Sequence, residues 1–169
     1  MVEKAKHYIK EGDIFQIVLS NRLSAPFKGS LFNTYRHLRT INPSPYMFYF
    51  SGTDVEVAGA SPETLVKLKD GVLHTFPLAG TRPRGKTEAE DIALENNKRG
   101  ICGGAIGYID FTGNLDTCIA IRVAYKKNGK VFVRSGAGIV YDSVSDKEYQ
   151  ECINKAQAVI NALKSADEA

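Results

Sequence analysis

The sequence predicts an α+β fold dominated by antiparallel strands, and three stretches carry that prediction. Residues 64–76 alternate apolar and polar side chains around Asp70-Gly71, a pair typical of a type I′ hairpin turn. Residues 102–140 contain apolar runs separated by two turn signals, which predicts a meander of three antiparallel strands. Residues 145–163 open with a capping box and continue with an apolar stripe at helical spacing, which predicts an amphipathic closing helix.

The other elements follow from the same kinds of signal. Helical spacing of apolar residues predicts helices, alternation predicts strands, and Gly, Pro, Asn and Asp mark the turns. In chain order we expect a helix ending near Gly12, a strand over 14–22, a helix over 31–41 capped by Ser30, paired strands over 46–50 and 55–60, and a short helix opened by a capping box of Thr87 and Glu90.

Length and composition predict one domain over residues 1–169. With 43% hydrophobic residues the chain can bury a real core, and no apolar run reaches membrane-spanning length. The first helix is charged and does not resemble a signal peptide, so we expect a cytoplasmic protein with no membrane partner. The net charge of +3 is small and scattered, which argues against a nucleic-acid partner. Three isolated cysteines, Cys102, Cys118 and Cys152, are expected to be buried free thiols.

Glycines interrupt the predicted meander where its strands should be strongest. Glycine inside a strand indicates tight sheet packing or a barrel corner, or else a place where another group approaches the backbone closely. Because two glycine clusters flank Arg122, which we expect to be buried, we favour the floor of a ligand site. The glycines are Gly103, Gly104, Gly107, Gly136 and Gly138.

Two further features have both a structural and a functional interpretation. Gln16 is flanked by apolar residues, so it needs a hydrogen-bond partner or lines a cavity. Glu148 and Glu151 lie one turn apart on the closing helix, and Lys155 follows Glu151 at ion-pair spacing. In the structural interpretation Glu148 caps the helix and Glu151 forms a solvated ion pair with Lys155. In the functional interpretation the two glutamates are metal ligands.

Eight strings spread over nearly the whole chain resemble one enzyme family. Each is a moderate signal alone, but they occur in the family's order. On these strings the chain is similar to the chorismate-utilising enzymes, and within them to anthranilate synthase component I chains. The strings are DIFQIVLSNR, NPSPYMFYF, GASPETLV, PLAGTRPRG, GGAIGYIDFTGN, TCIAIR, SGAGIV and EYQECINKA.

The resemblance implies a fold and an activity. The fold would be a two-layer, mostly antiparallel β-sheet sandwich with outer helices and an active site between the layers. Anthranilate synthase adds ammonia to chorismate at ring carbon 2, expels the carbon 4 hydroxyl and eliminates pyruvate. A glutamine amidotransferase subunit would supply the ammonia. Mg²⁺, a hard cation that prefers carboxylate and water ligands, would bridge the ring carboxylate of the substrate.

The resemblance also implies roles for individual residues. Glu63 matches the proposed general acid for the departing hydroxyl, and Thr81 would lie against the ring carboxylate. Tyr108 and Arg122 match positions that hold the enolpyruvyl carboxylate, for which a guanidinium is a natural partner. Backbone amides around three further residues would donate to the same anion. These are Gly136, Ala137 and Gly138.

On the closing helix, Glu151 matches a metal-ligating glutamate of the family, and Glu148 would reach the metal through water.

Two other positions distinguish the subfamilies. Relatives that add water carry a lysine at the position of Gln16, so Gln16 favours an ammonia user. Aminodeoxychorismate synthases carry a lysine nucleophile at the position of Ala79, which leaves their reaction as the less favoured alternative.

The NPSPYMF string resembles a segment that binds tryptophan as a feedback inhibitor. Its contacts would be Pro45, Tyr46, Met47 and Phe48. The alternative is an aromatic strand that packs in the core.

The chain also departs from the family pattern. Residues 1–97 match the first part of the catalytic domain and residues 98–169 its last part, while the central segment, with a metal-ligating glutamate and a catalytic histidine, is absent. His7, His37 and His74 lie at unrelated positions. We therefore expect impaired turnover, with a non-catalytic remnant or an engineered minimal domain as the alternative. Unpaired strand edges left by the missing segment predict self-association.

Overall fold

The computed structural model describes residues 1–76 and 101–167. It has three helices and nine strands within those ranges. In chain order these are α1 (Val2–Lys10), β1 (Ile17–Pro26), α2 (Leu31–Ile41), β2 (Tyr46–Ser51), β3 (Val55–Ser61), β4 (Thr64–Lys69), β5 (Val72–Thr75), β6 (Ala105–Ile109), β7 (Leu115–Ile119), β8 (Val123–Lys127), β9 (Lys130–Ile139) and α3 (Ser145–Asp167).

The strands form two antiparallel sheets. The larger has the order β1-β9-β8-β3-β2, and the smaller has the order β5-β4-β7-β6. Every recorded pairing is antiparallel. The α+β class with two antiparallel sheets and helices is therefore confirmed.

Helices α2 and α3 cover one face of the larger sheet. Their apolar stripes bury Leu31, Leu38 and Val159 completely against strand residues such as Ala58 and Val133. The opposite face of the same sheet carries a second cluster around Phe48, Val57 and Val123, which meets Cys118 of the smaller sheet. The second cluster thus joins the two sheets, and it leaves the β1–β9 end of this face open for a site.

A polar link adds to this contact between the sheets. The Tyr46 hydroxyl donates to Oδ1 of Asp116 at 2.7 Å and shares a 2.8 Å hydrogen bond with the Thr64 hydroxyl. Lys67 forms an ion pair with the same carboxylate at 2.8 Å. The hydrogen bond from Lys67 is the main reason why the pKa of Asp116 lies below its ordinary value, and Tyr46 contributes in the same direction. Asp116 is thus held as a carboxylate between the sheets.

A second carboxylate, Glu56 on β3, anchors the start of α2. Its Oε2 accepts hydrogen bonds from Ser30 Oγ at 2.6 Å, Leu31 N at 2.9 Å and Tyr49 Oη at 2.9 Å, and its Oε1 lies 3.1 Å from Lys126 Nζ. Burial alone would raise the pKa of Glu56, but these donors outweigh it and the pKa is lowered. Ser30 also accepts from the Phe32 amide, which confirms it as the helix cap.

The turns are largely as the sequence predicts. Asp70-Gly71 and Asn128-Gly129 have positive φ at both residues, as a type I′ turn requires, and each closes a two-strand hairpin. None of the three cysteines forms a disulfide. Cys118 and Cys152 are buried as expected, whereas Cys102 is partly exposed.

Two predictions about the strands were wrong. The meander has four strands in two sheets, because the chain leaves β7 and enters β8 in the other sheet through Arg122, whose φ is +53°. The first strand covers Ile17–Pro26 rather than 14–22, because it pairs with the whole length of the ten-residue strand β9.

The helix predicted from Thr87 and Glu90 lies outside the described residues. No helix in the described ranges has the length and apolar character needed to cross a membrane.

Candidate functional site

A cavity of about 570 Å³ lies where the two sheets and α3 meet. Its walls come from the β1–β9 edge of the larger sheet, from the segments before β6 and β8, and from α3. The lining residues are Gln16, Val18, Ser20, Glu63, Cys102, Gly103, Ile119, Ile121, Arg122, Arg134, Ser135, Gly136, Gly138 and Lys155.

The glycines of β9 make room for side chains of β1. A Cβ on Gly138 would collide with the amide of Gln16, and a Cβ on Gly136 would lie 2.8 Å from the Leu19 carbonyl oxygen and 2.9 Å from Val18 Cγ1. Strand β8 pairs with β9 only as far as Val133, so Gly136 and Gly138 have β1 on one side and the cavity within reach. Both interpretations of these glycines therefore apply at once: they permit tight packing and they line the site.

Ala137 lies between them but is buried on the opposite face of the strand. The thiol of Cys152 on α3 lies within hydrogen-bonding reach of the Ala137 backbone. Burial raises the pKa of that thiol, so Cys152 is held as a neutral packing group. Ala137 is thus engaged with the helix and is not among the lining residues.

Arg122 enters the cavity from the crossover between the sheets. Positive φ is uncommon for a residue with a side chain and marks backbone held under constraint by its surroundings. Arg122 is partly exposed rather than buried, which corrects the expectation, because it opens onto the cavity. Within residues 1–76 and 101–167, no side-chain hydrogen bond or ion pair engages its guanidinium. The group is therefore presented to whatever fills the cavity.

Glu63 and Gln16 approach the same cavity from other segments. The Glu63 carbonyl accepts from the Ile119 amide at 3.0 Å, and its own amide donates to Ser61 Oγ at 3.3 Å, so the backbone that carries the carboxylate is fixed to both sheets. Gln16 is half-buried against Gly138. The structure thus brings together Gln16, Glu63, Arg122, Gly136 and Gly138.

The carboxylates of α3 flank this cavity without lining it. Glu151 is exposed and forms an ion pair with Lys155, whose ammonium also lies 3.3 Å from the Gly136 carbonyl oxygen. Glu148 Oε1 accepts from Ser143 Oγ at 2.6 Å, while its Oε2 is buried with no partner in the described part of the chain. Glu151 is therefore linked to the cavity wall through Lys155, which lines the same cavity as Arg122.

Tyr108 does not reach the cavity. It lies on the edge strand β6, 64% exposed, opposite Asp116 and on the sheet face that carries Lys67. Thr81 lies outside the described residues. Across residues 1–76 and 101–167 there is no cluster of three or more His, Cys, Asp or Glu side chains that would hold a metal.

The four residues of the predicted inhibitor site point in different directions. Tyr46 and Phe48 contribute to the cluster between the sheets, with Phe48 packed over Gly59, whereas Met47 packs toward the helices and Pro45 is exposed. Core packing therefore accounts for Tyr46, Met47 and Phe48, and the tryptophan site stays a prediction.

Sequence analysis did not predict several of the lining residues as site residues, among them Lys155, Ser20 and Arg134. Lys155 was considered only as an ion-pair partner, and Ser20 and Arg134 were not considered. The signal that could have found Arg134 is the strand period, since Arg134, Gly136 and Gly138 alternate onto one face of β9.

Comparisons with known proteins agree on one family. Residues 1–96 and 92–161 match the family model described as chorismate binding enzyme. Anthranilate synthase component 1 of Acetivibrio thermocellus is 35% identical over 260 residues, covering 99% of this chain and 53% of that protein. The corresponding protein of Aquifex aeolicus is 34% identical, with the same coverage. The chain thus spans about half the length of the curated relatives it matches.

Solved structures give the same result. Anthranilate synthase component I from Streptococcus pneumoniae superposes with a TM-score of 0.78 at 31% identity, covering 94% of this chain and 56% of that one. A 2,3-dihydroxybenzoate-specific isochorismate synthase from Bacillus anthracis has a TM-score of 0.77 at 20% identity, covering 96% of this chain and 70% of that one. The second likeness concerns the fold alone.

Proposed function

The chain belongs to the chorismate-binding enzyme family, and from that premise we propose that its cavity binds chorismate as an anthranilate synthase component I chain does. The observation that carries the proposal is the guanidinium of Arg122, which no side chain of the described residues engages and which lines a cavity of suitable size together with Gly136. Chorismate carries two carboxylates, and a guanidinium in a partly buried site is a strong partner for one of them.

The proposed reaction converts chorismate and ammonia to anthranilate and pyruvate, as a step toward tryptophan. In this proposal Arg122 holds the enolpyruvyl carboxylate, and Glu63 delivers a proton to the departing hydroxyl. Gln16 is neutral and offers both a donor and an acceptor at the cavity wall, which suits a site that admits ammonia. Thr81 keeps its proposed contact with the ring carboxylate. Tyr108 is proposed to hold the same carboxylate, and this contact requires its side chain to leave the exposed position that it has on β6.

Magnesium is part of the proposal, and the residues of α3 fit it in part. Glu148 Oε2 is buried and has no hydrogen-bond partner among the residues that the structure describes, and such an oxygen is satisfied by a proton, a water or a cation. Glu151 is available only if it gives up or shares its ion pair with Lys155. Mg²⁺ usually takes one or two protein carboxylates and completes its shell with water and substrate oxygens. When bound, it would neutralise the ring carboxylate of the substrate.

We also propose that the chain lacks the central segment of its relatives, with residues 1–97 and 98–169 as the two remaining parts. The alignment with the Acetivibrio protein runs over 260 positions although this chain has 169 residues, and the family model matches in two stretches, residues 1–96 and 92–161, that overlap slightly. Loss of a segment with a catalytic histidine and a metal ligand would impair turnover more than binding. A glutamine amidotransferase partner and a cytoplasmic location belong to the same proposal.

Two alternatives differ from this proposal in what they predict. A non-catalytic remnant or engineered minimal domain would keep the fold and form no product. An enzyme similar to aminodeoxychorismate synthase would consume chorismate without forming anthranilate. Its lysine nucleophile has no counterpart here, since Ala79 stands at that position.

The test is incubation of the purified chain with chorismate, ammonium and Mg²⁺, followed by fluorescence detection of anthranilate and by calorimetric measurement of chorismate binding. We expect binding, slow anthranilate formation and loss of both product and metal response in Glu151→Gln, with Glu11→Gln as the control. Chorismate binding without product would support the non-catalytic remnant or minimal domain. Loss of chorismate without formation of anthranilate would support the alternative similar to aminodeoxychorismate synthase. A folded sample that does not bind chorismate would contradict the proposed function.

A further inference from the structure

The turn of α3 that carries Glu151 is tied to the wall of the cavity by a hydrogen bond from Ser135. The Ser135 hydroxyl, on β9, donates to the Cys152 carbonyl oxygen at 2.7 Å. Cys152 directly follows Glu151 in the helix, and Ser135 is one of the residues that line the cavity. This hydrogen bond therefore connects the cavity wall to the helix backbone beside Glu151.

Two further contacts join the same turn of α3 to the same strand. The Lys155 ammonium lies 3.3 Å from the Gly136 carbonyl oxygen, and the Cys152 thiol lies within hydrogen-bonding reach of the Ala137 backbone. Lysine has a long flexible stem, and a thiol is a weak hydrogen-bonding group. The Ser135 hydroxyl, on a short side chain, is therefore the contact that best fixes the distance between α3 and the cavity wall.

The place of Ser135 in β9 explains how one strand serves both the cavity and the helix. Successive residues of a strand point to opposite faces. Gly136 and Gly138 alternate onto the face that lines the cavity, whereas the side chains of Ser135 and Ala137 lie toward α3. A shift of α3 relative to β9 is thus also a shift of α3 relative to the cavity.

In the proposed function a divalent cation on α3 meets a substrate carboxylate in the cavity. Glu148 and Glu151 lie on the same helix, so their mutual spacing does not depend on Ser135. The distance from these carboxylates to a substrate in the cavity does depend on how α3 is held. Because Mg²⁺ demands near-ideal geometry at short metal–oxygen distances, a small shift of the helix would weaken the bridge to the substrate more than the hold of the helix on the cation.

Resting on the proposed function, we infer that Ser135 is a positioning residue that couples cation binding on α3 to binding of the substrate carboxylate in the cavity. Ser135 contacts neither ligand. It acts through the Cys152 carbonyl and thereby through the placement of Glu151.

The experiment measures the coupling between two ligands in the whole chain. Electron paramagnetic resonance of free Mn²⁺, which takes the same oxygen ligands as Mg²⁺, gives the Mn²⁺ affinity with and without chorismate, in the absence of ammonium. The ratio of the two affinities is the coupling factor. We expect chorismate to raise the Mn²⁺ affinity of the wild type. Ser135→Ala should lower the coupling factor about threefold or more, as for loss of one hydrogen bond, and should change the Mn²⁺ affinity without chorismate less than about twofold.

Ser145→Ala is the matched control. It removes a serine hydroxyl from the first turn of the same helix, where Ser145 Oγ donates to Glu3 Oε1 at 3.2 Å, and Ser145 is not among the described lining residues. It should leave the coupling factor unchanged. Denaturant midpoints of both variants measure how much stability each hydroxyl contributes.

A second pair of variants separates the hydroxyl from the shape of the side chain. Ser135→Thr and Ser135→Val have nearly the same shape, both suit a strand, and they differ in the hydroxyl. We expect the threonine variant to keep most of the coupling and the valine variant to lose it. Wild-type coupling in Ser135→Val would overturn the inference even if Ser135→Ala did not fold.

The remaining outcomes overturn distinct claims. Equal losses of coupling in Ser135→Ala and Ser145→Ala would overturn the inference, because they indicate a general loosening of α3. Wild-type coupling in Ser135→Ala with a lower denaturant midpoint would also overturn it, since the hydrogen bond would then serve stability alone. A wild type that binds chorismate and Mn²⁺ without coupling would overturn the inference and the proposed metal bridge but leave chorismate binding standing. A wild type that does not bind chorismate would overturn the proposed function as well.

Discussion

The Tyr46 hydroxyl donates a 2.7 Å hydrogen bond to the Asp116 carboxylate and so joins β2 of the larger sheet to β7 of the smaller one. Thr64 and Lys67 complete the group around these two side chains. Tyr46→Phe should lower the free energy of unfolding by about 1.5–3 kcal/mol, the usual net value of a hydrogen bond to a charged group. Urea denaturation measures it. Tyr125→Phe is the control, because no hydrogen bond engages the Tyr125 hydroxyl in the described residues, and an equal loss in both variants would contradict the prediction.

Glu56 makes stability depend on pH in the acid range. Its folded-state pKa is depressed below the ordinary glutamate value of 4.5. Its contribution is therefore fully present above that value and is lost as the pH falls toward the folded-state pKa. We expect Glu56→Gln to lower the stability at pH 7 by about 1–2 kcal/mol and to flatten the acid limb of the curve. Denaturation midpoints between pH 7 and pH 3 test it, and Glu11→Gln should leave that limb unchanged.

Gly136 and Gly138 provide a matched pair on one strand. Alanine at 136 would meet the backbone oxygen of Leu19, which cannot move without disturbing the β1–β9 ladder, so we expect a loss of about 1–3 kcal/mol. Alanine at 138 would meet only the end of the Gln16 side chain, which can swing away. That variant should stay within about 1 kcal/mol of wild type and lose ammonia-dependent product instead. The opposite order of stabilities would show that the register is wrong.

The Lys155–Glu151 ion pair should compete with a divalent cation for Glu151. Removing it in Lys155→Gln should raise Mn²⁺ affinity about two- to fivefold, as expected for a half-exposed pair worth less than about 1 kcal/mol. Glu148→Gln should lower the affinity. Electron paramagnetic resonance of free Mn²⁺ gives the binding curve without any turnover. A weaker site in Lys155→Gln would mean that the lysine supports the metal site rather than competing with it.

The smaller sheet should mediate self-association. Leu73 on β5 and Ile109 on β6 are 61% and 75% exposed, and both strands are edges of this sheet in the described part of the chain. Exposed apolar edge strands tend to pair with other chains. Sedimentation should show a concentration-dependent dimer that Ile109→Lys converts to monomer. A monomer at all concentrations in the wild type would refute the prediction.

Local chemistry made the hairpins predictable, and tertiary context decided the rest. Asp70-Gly71 and Asn128-Gly129 specify their turns by backbone preference alone, and Ser30 specifies its helix start. The crossover at Arg122 gives no such signal, because the apolar run CIAIRVAY reads as one strand. The resemblance placed Arg122 at the site, whereas the presence of Arg134 on the cavity wall depends on which face of β9 turns toward the cavity.

At Arg122, one residue both connects the two sheets and supplies a positive charge to the cavity. Arg122 lies in the segment by which the chain passes from β7 of the smaller sheet to β8 of the larger one, and its guanidinium lines the cavity. The left-handed backbone at this position would suit glycine better. Replacement by glycine would relax this backbone and remove the positive charge together, so a gain in backbone free energy at position 122 costs the cavity its guanidinium.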